Sequence, residues 1–277
     1  MRLLTIRTPQ GTRAARQEGD EVVQLEHEDV GALLAMGPDW ARTAQSANGP
    51  RHRLGEIDLA PVIPHPEKII CLGLNYRNHI QEMAHESPAH PTLFAKYARA
   101  LIGARDPIML PAESDKVDCE AELAFVIGRP VRRAKGAEAG EAIAGFCVLN
   151  DVSMRDWQTR TTQFLQGKTF EGSTPVGPAM VSPDEVDGGT DLSIRCEVDD
   201  EVRQEASTAD LLFRPAEIVA YVSTIVTLVP GDLIATGTPA GVGAARHPPL
   251  FLRPGQVVRT AIEGIGELVN ECVAEPP

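Results

Sequence analysis

The sequence predicts a β-rich α+β protein, with a small β-rich domain over residues 1–64 followed by a larger domain over residues 65–277. Three observations predict it. Short runs of β-branched and aromatic residues recur along the chain and end at Gly, Pro, Asn or Asp. Only one stretch has clear helical periodicity. The regular strand–helix alternation of a TIM barrel or a Rossmann sheet is missing.

In chain order, "MRLLTIRT" and "DEVVQL" read as short strands around a polar turn near Gly11, and "DVGALLAMG" reads as a short helix. "ARTAQSANGPRHRLG" reads as a polar connector, and the prolines of "APVIPHPEK" close the N-terminal segment. "KIICLGL", "EAELAFVIG" and "GFCVLND" are strands, and "LSIRCEVDDEVRQEA" is a hairpin turning at Asp199-Asp200. Pro215 suits a first helical turn, and Ile218, Val219, Val222, Ile225 and Val226 form an apolar stripe behind it. Pro230-Gly231 stops that helix, and "DLIATG" resumes as a strand.

The formal net charge of −13 argues against a nucleic-acid partner or an anionic membrane surface, because phosphates are repelled. It leaves room for an anionic small molecule, since a bound cation reverses the local field. The N-terminus shows no apolar leader, and no run approaches the roughly 20 apolar residues of a membrane span, so a cytoplasmic protein is expected. The five cysteines are scattered and never form C-x-x-C, as expected of reduced, buried thiols.

The chemistry concentrates in a few segments. In "VDCEAELAFVIG", Glu120 and Glu122 lie two apart on a strand and share a face, about 7 Å apart, with Ala121, Leu123 and Phe125 on the opposite, core side. Two such acids repel unless a cation lies between them, although an isolated E-x-E is commonly a solvated face. In "CVLNDVSMRDWQ" a strand runs into Asn150-Asp151, either a turn-initiating pair or a further acid at a strand end. Three carboxylates from Glu120, Glu122 and Asp151 suit an oxygen-seeking cation such as Mg²⁺ or Mn²⁺. Lys168, in the Gly-bounded "LQGKTFEGS", is either a surface lysine or a site cation.

"GLNYRNHIQEM" places His79 and Glu82 one helical turn apart, where the carboxylate can orient the imidazole as a general base; an exposed loop histidine is the alternative. The polar "AHESPAHP" after it has the composition of a mobile lid. "GDLIATGTPAGVG" has neither a following helix nor a G-K-[ST], so it reads as a cradle for a substrate carboxylate, with Thr238 donating, rather than as a phosphate loop.

Taken together and in this order, "GLNYRNH", "VDCEAELAFVIG", "NDVSMRDWQ", "GKTFEGSTPVGP", "PGDLIATGTPAGVG" and "GIGELVN" resemble the fumarylacetoacetate hydrolase family, from about Lys68 to Asn270. The resemblance implies a mixed β-sandwich roll and a homodimer. It implies Glu120, Glu122 and Asp151 as ligands of Mg²⁺ or Mn²⁺, with Ca²⁺ able to take their place in crystals. His79, Glu82 and Lys168 fall on the catalytic positions, and Arg155, Gln158 and Thr238 on substrate-contacting or cradle positions; Tyr76, Phe170 and lid side chains are expected to line the pocket for the acyl group. Cys119, Met154 and Glu171 depart from the family pattern and bear on substrate fit. The implied activity is metal-dependent hydrolysis of a C–C bond in an acylpyruvate-type 2,4-dioxo acid, as in the catabolism of aromatic compounds. Oxaloacetate decarboxylation, or tautomerisation, isomerisation or hydration of a 2-oxo acid, is the alternative on the same metal-enolate site. A metal-dependent binding protein without catalysis is the second alternative.

Overall fold

A computed structural model describes residues 1–276. A 12-stranded mixed sheet forms the body, and two of its short strands lie off the main path. The path runs Arg51–Arg53, Glu21–Gln24, Gly11–Glu18, Arg2–Thr8, Thr174–Val181, Ile143–Asn150, Ala121–Ile127, Leu233–Ala235, Ile69–Gly73, Thr92–Lys96. Leu233–Ala235 pairs parallel with Ile69–Gly73, whereas its other neighbour, Ala121–Ile127, is antiparallel to it. A second, five-stranded sheet runs Glu201–Ser207, Ser193–Val198, Val257–Ile262, Gly266–Ala274, Ile108–Leu110.

One core lies between these sheets. Leu123, Phe125 and Phe146 from the large sheet meet Ile194, Val258 and Leu268 from the small one. The rings of Phe125 and Phe146 pack edge to face at 6.3 Å. The large sheet's other face is covered as well: Ala124, Val126 and Cys147 share a second core with Leu3, Leu33 and Ile63. All seven residues of Ala121–Ile127 are therefore buried, in place of the single core side expected from alternation. A strand covered on both faces reads as a continuous apolar run, which hides its period.

Residues 1–64 extend the large sheet through the pairs Arg2–Val181 and Leu3–Met180, and the helix Val30–Leu34, capped by Asp29, lies over the second core. The expected connector contains the helix Trp40–Ser46 and the edge strand Arg51–Arg53. The strand Gly11–Glu18 is missing from the reading of the sequence because "GTRAARQE" is polar apart from Ala14 and Ala15, which it buries. The Asp199-Asp200 hairpin forms, with both residues at positive φ. The long helix spans Pro215–Ile225, short of Pro230: Val226 is already extended. Its buried stripe stops at Val222, while Ile225 and Val226 are exposed. Among the described residues no helix is long and apolar enough to cross a membrane.

Phe146→Ala should cost about 3–5 kcal/mol of folding stability, since it empties the centre of the core between the sheets. Chemical denaturation measures this, and a loss under about 1 kcal/mol would show that the two sheets do not lean on this ring.

Candidate active site

The acids converge. Glu120, Glu122 and Asp151 are buried, and one ligand atom from each lies within 4.8 Å of the others. Glu122 is on the strand Ala121–Ile127, Glu120 immediately precedes it, and Asp151 follows the end of the adjoining strand Ile143–Asn150. The side chain of Asn150 accepts from the Glu120 amide at 2.9 Å, and the Asp151 amide donates to the Glu120 carbonyl at 2.9 Å. The Asx pair thus clamps the first acid as well as supplying the third.

Cations balance the acids. Lys168 Nζ donates to Glu120 Oε2 at 2.7 Å and to Asp151 Oδ2 at 2.8 Å, and it is only 3% exposed. Gly167 permits this approach: a Cβ there would lie 2.4 Å from the Gln158 amide nitrogen. Lys96, at the end of the strand Thr92–Lys96, donates to Asp151 Oδ1 at 2.6 Å. Arg155 Nη1 lies 2.6 Å from Glu120 Oε1, while its Nε donates to Asp118 Oδ2 at 2.9 Å and its Nη1 to Gln158 Oε1 at 3.0 Å. Lys96 and Asp118 were not anticipated. Asp118, Glu120 and Glu122 recur at a spacing of two, a signal present in "VDCEAE". Lys96 gave no signal, since nothing in "LFAKY" places its ammonium in the interior.

The Gly-rich turn does cradle carboxylates, but they belong to the protein. Gly237 N donates to Glu122 Oε2 at 2.8 Å, and Gly241 N to Glu82 Oε1 at 2.9 Å. Gly243 N and Ala244 N donate to the two oxygens of Asp118 at 2.8 and 3.0 Å. Thr238 Oγ1 donates to the Ala121 carbonyl at 2.9 Å and accepts from Gln204 Nε2 at 2.7 Å. Its one hydrogen is committed, so the expected donation to a substrate carboxylate does not hold in this geometry. Gln204 also accepts from the Ala121 amide at 2.8 Å, bracing the acid-bearing strand from the second sheet.

Burial tends to raise the Glu120 carboxyl, but Lys168 and Arg155 outweigh it and bring the pKa down to about 2. Glu122 is pushed the other way, well above the usual carboxylate range, by burial and by its neighbours Asp151 and Glu120. Burial lowers the Lys168 ammonium, yet Asp151 and Glu120 prevail and raise it. An all-oxygen donor set whose third carboxylate is repelled by the other two fits a hard divalent cation such as Mg²⁺ or Mn²⁺.

Beside the acids lies a cavity of about 340 Å³, lined in part by His79, Glu120, Arg155, Gln158, Lys168 and Thr238. His79 and Glu82 sit on the short helix Arg77–Glu82, with Nδ1 2.9 Å from Glu82 Oε2. The segment 84–91 leads from this helix to the strand at Thr92 without regular structure, and His90 in it stacks on Tyr221 at 6.1 Å. Tyr76 and Phe170 do not line the cavity. Tyr76 is wholly buried with an unpartnered hydroxyl, and Phe170 packs edge-on against Trp157. Phe94 and Phe164, paired edge-on at 5.9 Å, form the aromatic wall instead.

Residues 68–273 match the fumarylacetoacetate (FAA) hydrolase C-terminal family, and the chain belongs to the fumarylacetoacetate hydrolase family. It is 41% identical over 268 residues to a mitochondrial oxaloacetate tautomerase of Xenopus laevis, spanning 93% of this chain and 84% of that protein. A fumarylacetoacetate hydrolase from Exiguobacterium antarcticum superposes with a TM-score of 0.89 at 32% identity, covering 99% of this chain and all (100%) of that one. A 2-hydroxyhepta-2,4-diene-1,7-dioate isomerase from Mycobacterium marinum gives 0.80 at 33% identity, with 100% of both chains covered. The mixed, sheet-rich fold expected from the sequence is the fold of these structures. The relatives are enzymes of several reaction types. The Xenopus protein is named as mitochondrial, whereas a cytoplasmic location was expected for this chain.

Two outcomes follow from the acid cluster. A Cβ at Gly243 would lie 1.8 Å from the Leu250 carbonyl oxygen and 2.7 Å from Asp118. Gly243→Ala should therefore loosen the Asp118–Arg155–Glu120 chain and weaken Mg²⁺ binding about 10–100-fold by calorimetry. Unchanged affinity would show that the chain does not position Glu120. Because the Glu122 pKa is raised in the metal-free protein, its proton persists to higher pH and must leave when a cation binds. Apparent affinity should fall as pH is lowered, and binding heats should differ between buffers of different ionisation enthalpy. Equal heats would exclude the release.

Proposed function

We propose that the chain is a divalent-metal-dependent keto–enol tautomerase of a 2-oxo acid, with oxaloacetate as the first substrate to test. The observation that carries this reading is the placement of one oriented imidazole, His79 held through Nδ1 by Glu82, on a cavity whose floor is Glu120 and Lys168. The 41% identity to the Xenopus oxaloacetate tautomerase supports it.

A Mg²⁺ or Mn²⁺ ion held by Glu120, Glu122 and Asp151 would supply Lewis-acid polarisation of the 2-oxo group and its carboxylate. His79 is the base: its Nε2, free of Glu82, takes a proton from the carbon beside the ketone, leaving an enolate whose oxygen takes its proton from solvent to give the enol. In the reverse direction the enol oxygen loses that proton to solvent and protonated His79 returns one to carbon. Lys168 is kept as an ammonium by Asp151 and Glu120, so it serves as a donor toward the oxygen that gains charge and not as a base. Arg155 and Gln158, bonded to each other beside Glu120, border the end of the cavity where the carboxylate next to the 2-oxo group would sit. The homodimer implied by the resemblance belongs to the same reading.

The C–C hydrolysis expected from the resemblance becomes the second reading, supported by the likeness to the Exiguobacterium hydrolase at 32% identity. It requires a water aligned by His79 in addition to a stabilised enolate. Proton transfer at C3 requires only His79 and the stabilised enolate.

With Mg²⁺ present, the protein should speed enol-to-keto conversion of oxaloacetate, followed by loss of enol absorbance. His79→Ala should slow this about 10²–10⁴-fold while retaining Mg²⁺ binding. Pyruvate release from an acylpyruvate at a higher kcat/KM than oxaloacetate tautomerisation would restore the hydrolase reading.

A further inference from the structure

The walls of the cavity differ from its floor. Beyond the acid cluster they are built by Leu72, Leu74, Met83, Phe94, Phe164 and Val242. The volume, about 340 Å³, also exceeds what a short dicarboxylate fills. Oxaloacetate displaces roughly four waters, about 120 Å³ at about 30 Å³ each, so more than half of the space stays empty behind it.

The charges point the same way. The lysine and arginine that line the cavity, Lys168 and Arg155, are both bound to Glu120, at 2.7 and 2.6 Å. Their other hydrogen bonds go to Asp151, Asp118 and Gln158, and Arg155 Nη2, buried without a hydrogen-bond partner, lies 2.8 Å from Asp118 Oδ2. His79 is engaged by Glu82, and His85 lies exposed at the mouth. A second carboxylate extending from the metal end toward the aromatic wall would lose its water without gaining a free counter-ion, which is costly. An apolar group in the same position would gain from every contact it makes with Phe94, Phe164 and the aliphatic wall.

We propose that the site selects 2-oxo acids bearing an apolar, aryl-sized substituent on C3, the 3-arylpyruvate class, over short 2-oxo dicarboxylates. The reaction rests on the tautomerase reading, whereas the preference is a property of binding and can be measured apart from turnover. The 2-oxo carboxylate end lies at Glu120, Glu122 and Asp151, and the aryl ring lies between Phe164 and Val242.

Calorimetric titration of the Mg²⁺-loaded protein with 3-phenylpyruvate and with oxaloacetate tests this. One methylene in an apolar pocket is already worth about 10–200-fold, so phenylpyruvate should bind at least about tenfold tighter. Val242→Phe, which fills the cavity, should cut that ratio to about one, and Met83→Trp at the half-exposed rim should reduce it should Val242→Phe fail to fold. Equal or tighter binding of oxaloacetate to the wild-type protein overturns the proposal, as does a ratio unmoved in both variants. Enol-to-keto rates for the two acids then test the chemistry separately. Preferential phenylpyruvate binding without tautomerisation of either acid would uphold the selectivity and sink the tautomerase reading.

Discussion

Backbone amides of the turn from Thr236 to Ala244 hold the carboxylates on which the site is built. Burying an acid costs several kcal/mol unless each lone pair finds a donor or a counter-charge. Asp118, Glu122 and Glu82 take donors from this one turn, at Gly243 and Ala244, Gly237 and Gly241 respectively. Its path leaves no space for a side chain at Gly241, where a Cβ would lie 2.1 Å from the Arg203 carbonyl oxygen. The turn therefore joins Glu122, the Asp118 behind Arg155 and the Glu82 behind His79 into one unit.

The remaining acids are balanced by side chains. Lys168 and Arg155 hold Glu120 as a carboxylate, and the same contacts hold Lys168 as an ammonium. Neither can exchange a proton readily near neutrality. Glu122, with one amide donor and two acidic neighbours, is the member of the cluster without a direct ion pair among the described residues. In the proposed reaction proton transfer falls to His79 at the cavity's edge, and a bound cation would supply the charge that lets Glu122 ionise.

The sandwich explains how one floor can serve several reactions. The strand bearing Glu122 is covered by a core on each face, one from the second sheet and one from the N-terminal segment, so its acids have little freedom to move. The cavity walls come from separate loops and strand ends, including Leu72 to Leu74, Phe164 and Val242. Side chains there can change without disturbing the acids, which is consistent with a tautomerase, an isomerase and a hydrolase among the relatives.

The strand runs, the Asp199-Asp200 hairpin, the start of the helix at Pro215 and the acids of "VDCEAE" and "NDVS" were legible in the linear order of residues. Local periodicity and turn chemistry depend on neighbours a few positions away, and those neighbours are written in the chain. Lys96 as a counter-ion, the commitment of Thr238 to Ala121, the burial of Tyr76 and the replacement of Phe170 by Phe94 and Phe164 were not legible. Each depends on contacts between residues far apart in the chain: Lys96 meets Asp151 across 55 positions, and Thr238 meets Ala121 across 117. The sequence by itself singled out the three acids that converge, Glu120, Glu122 and Asp151, and the His79–Glu82 pair that forms. Only the tertiary structure decided which charges neutralise one another and what lines the space beside them, because burial and Coulombic pairing follow distance in space and not order along the chain.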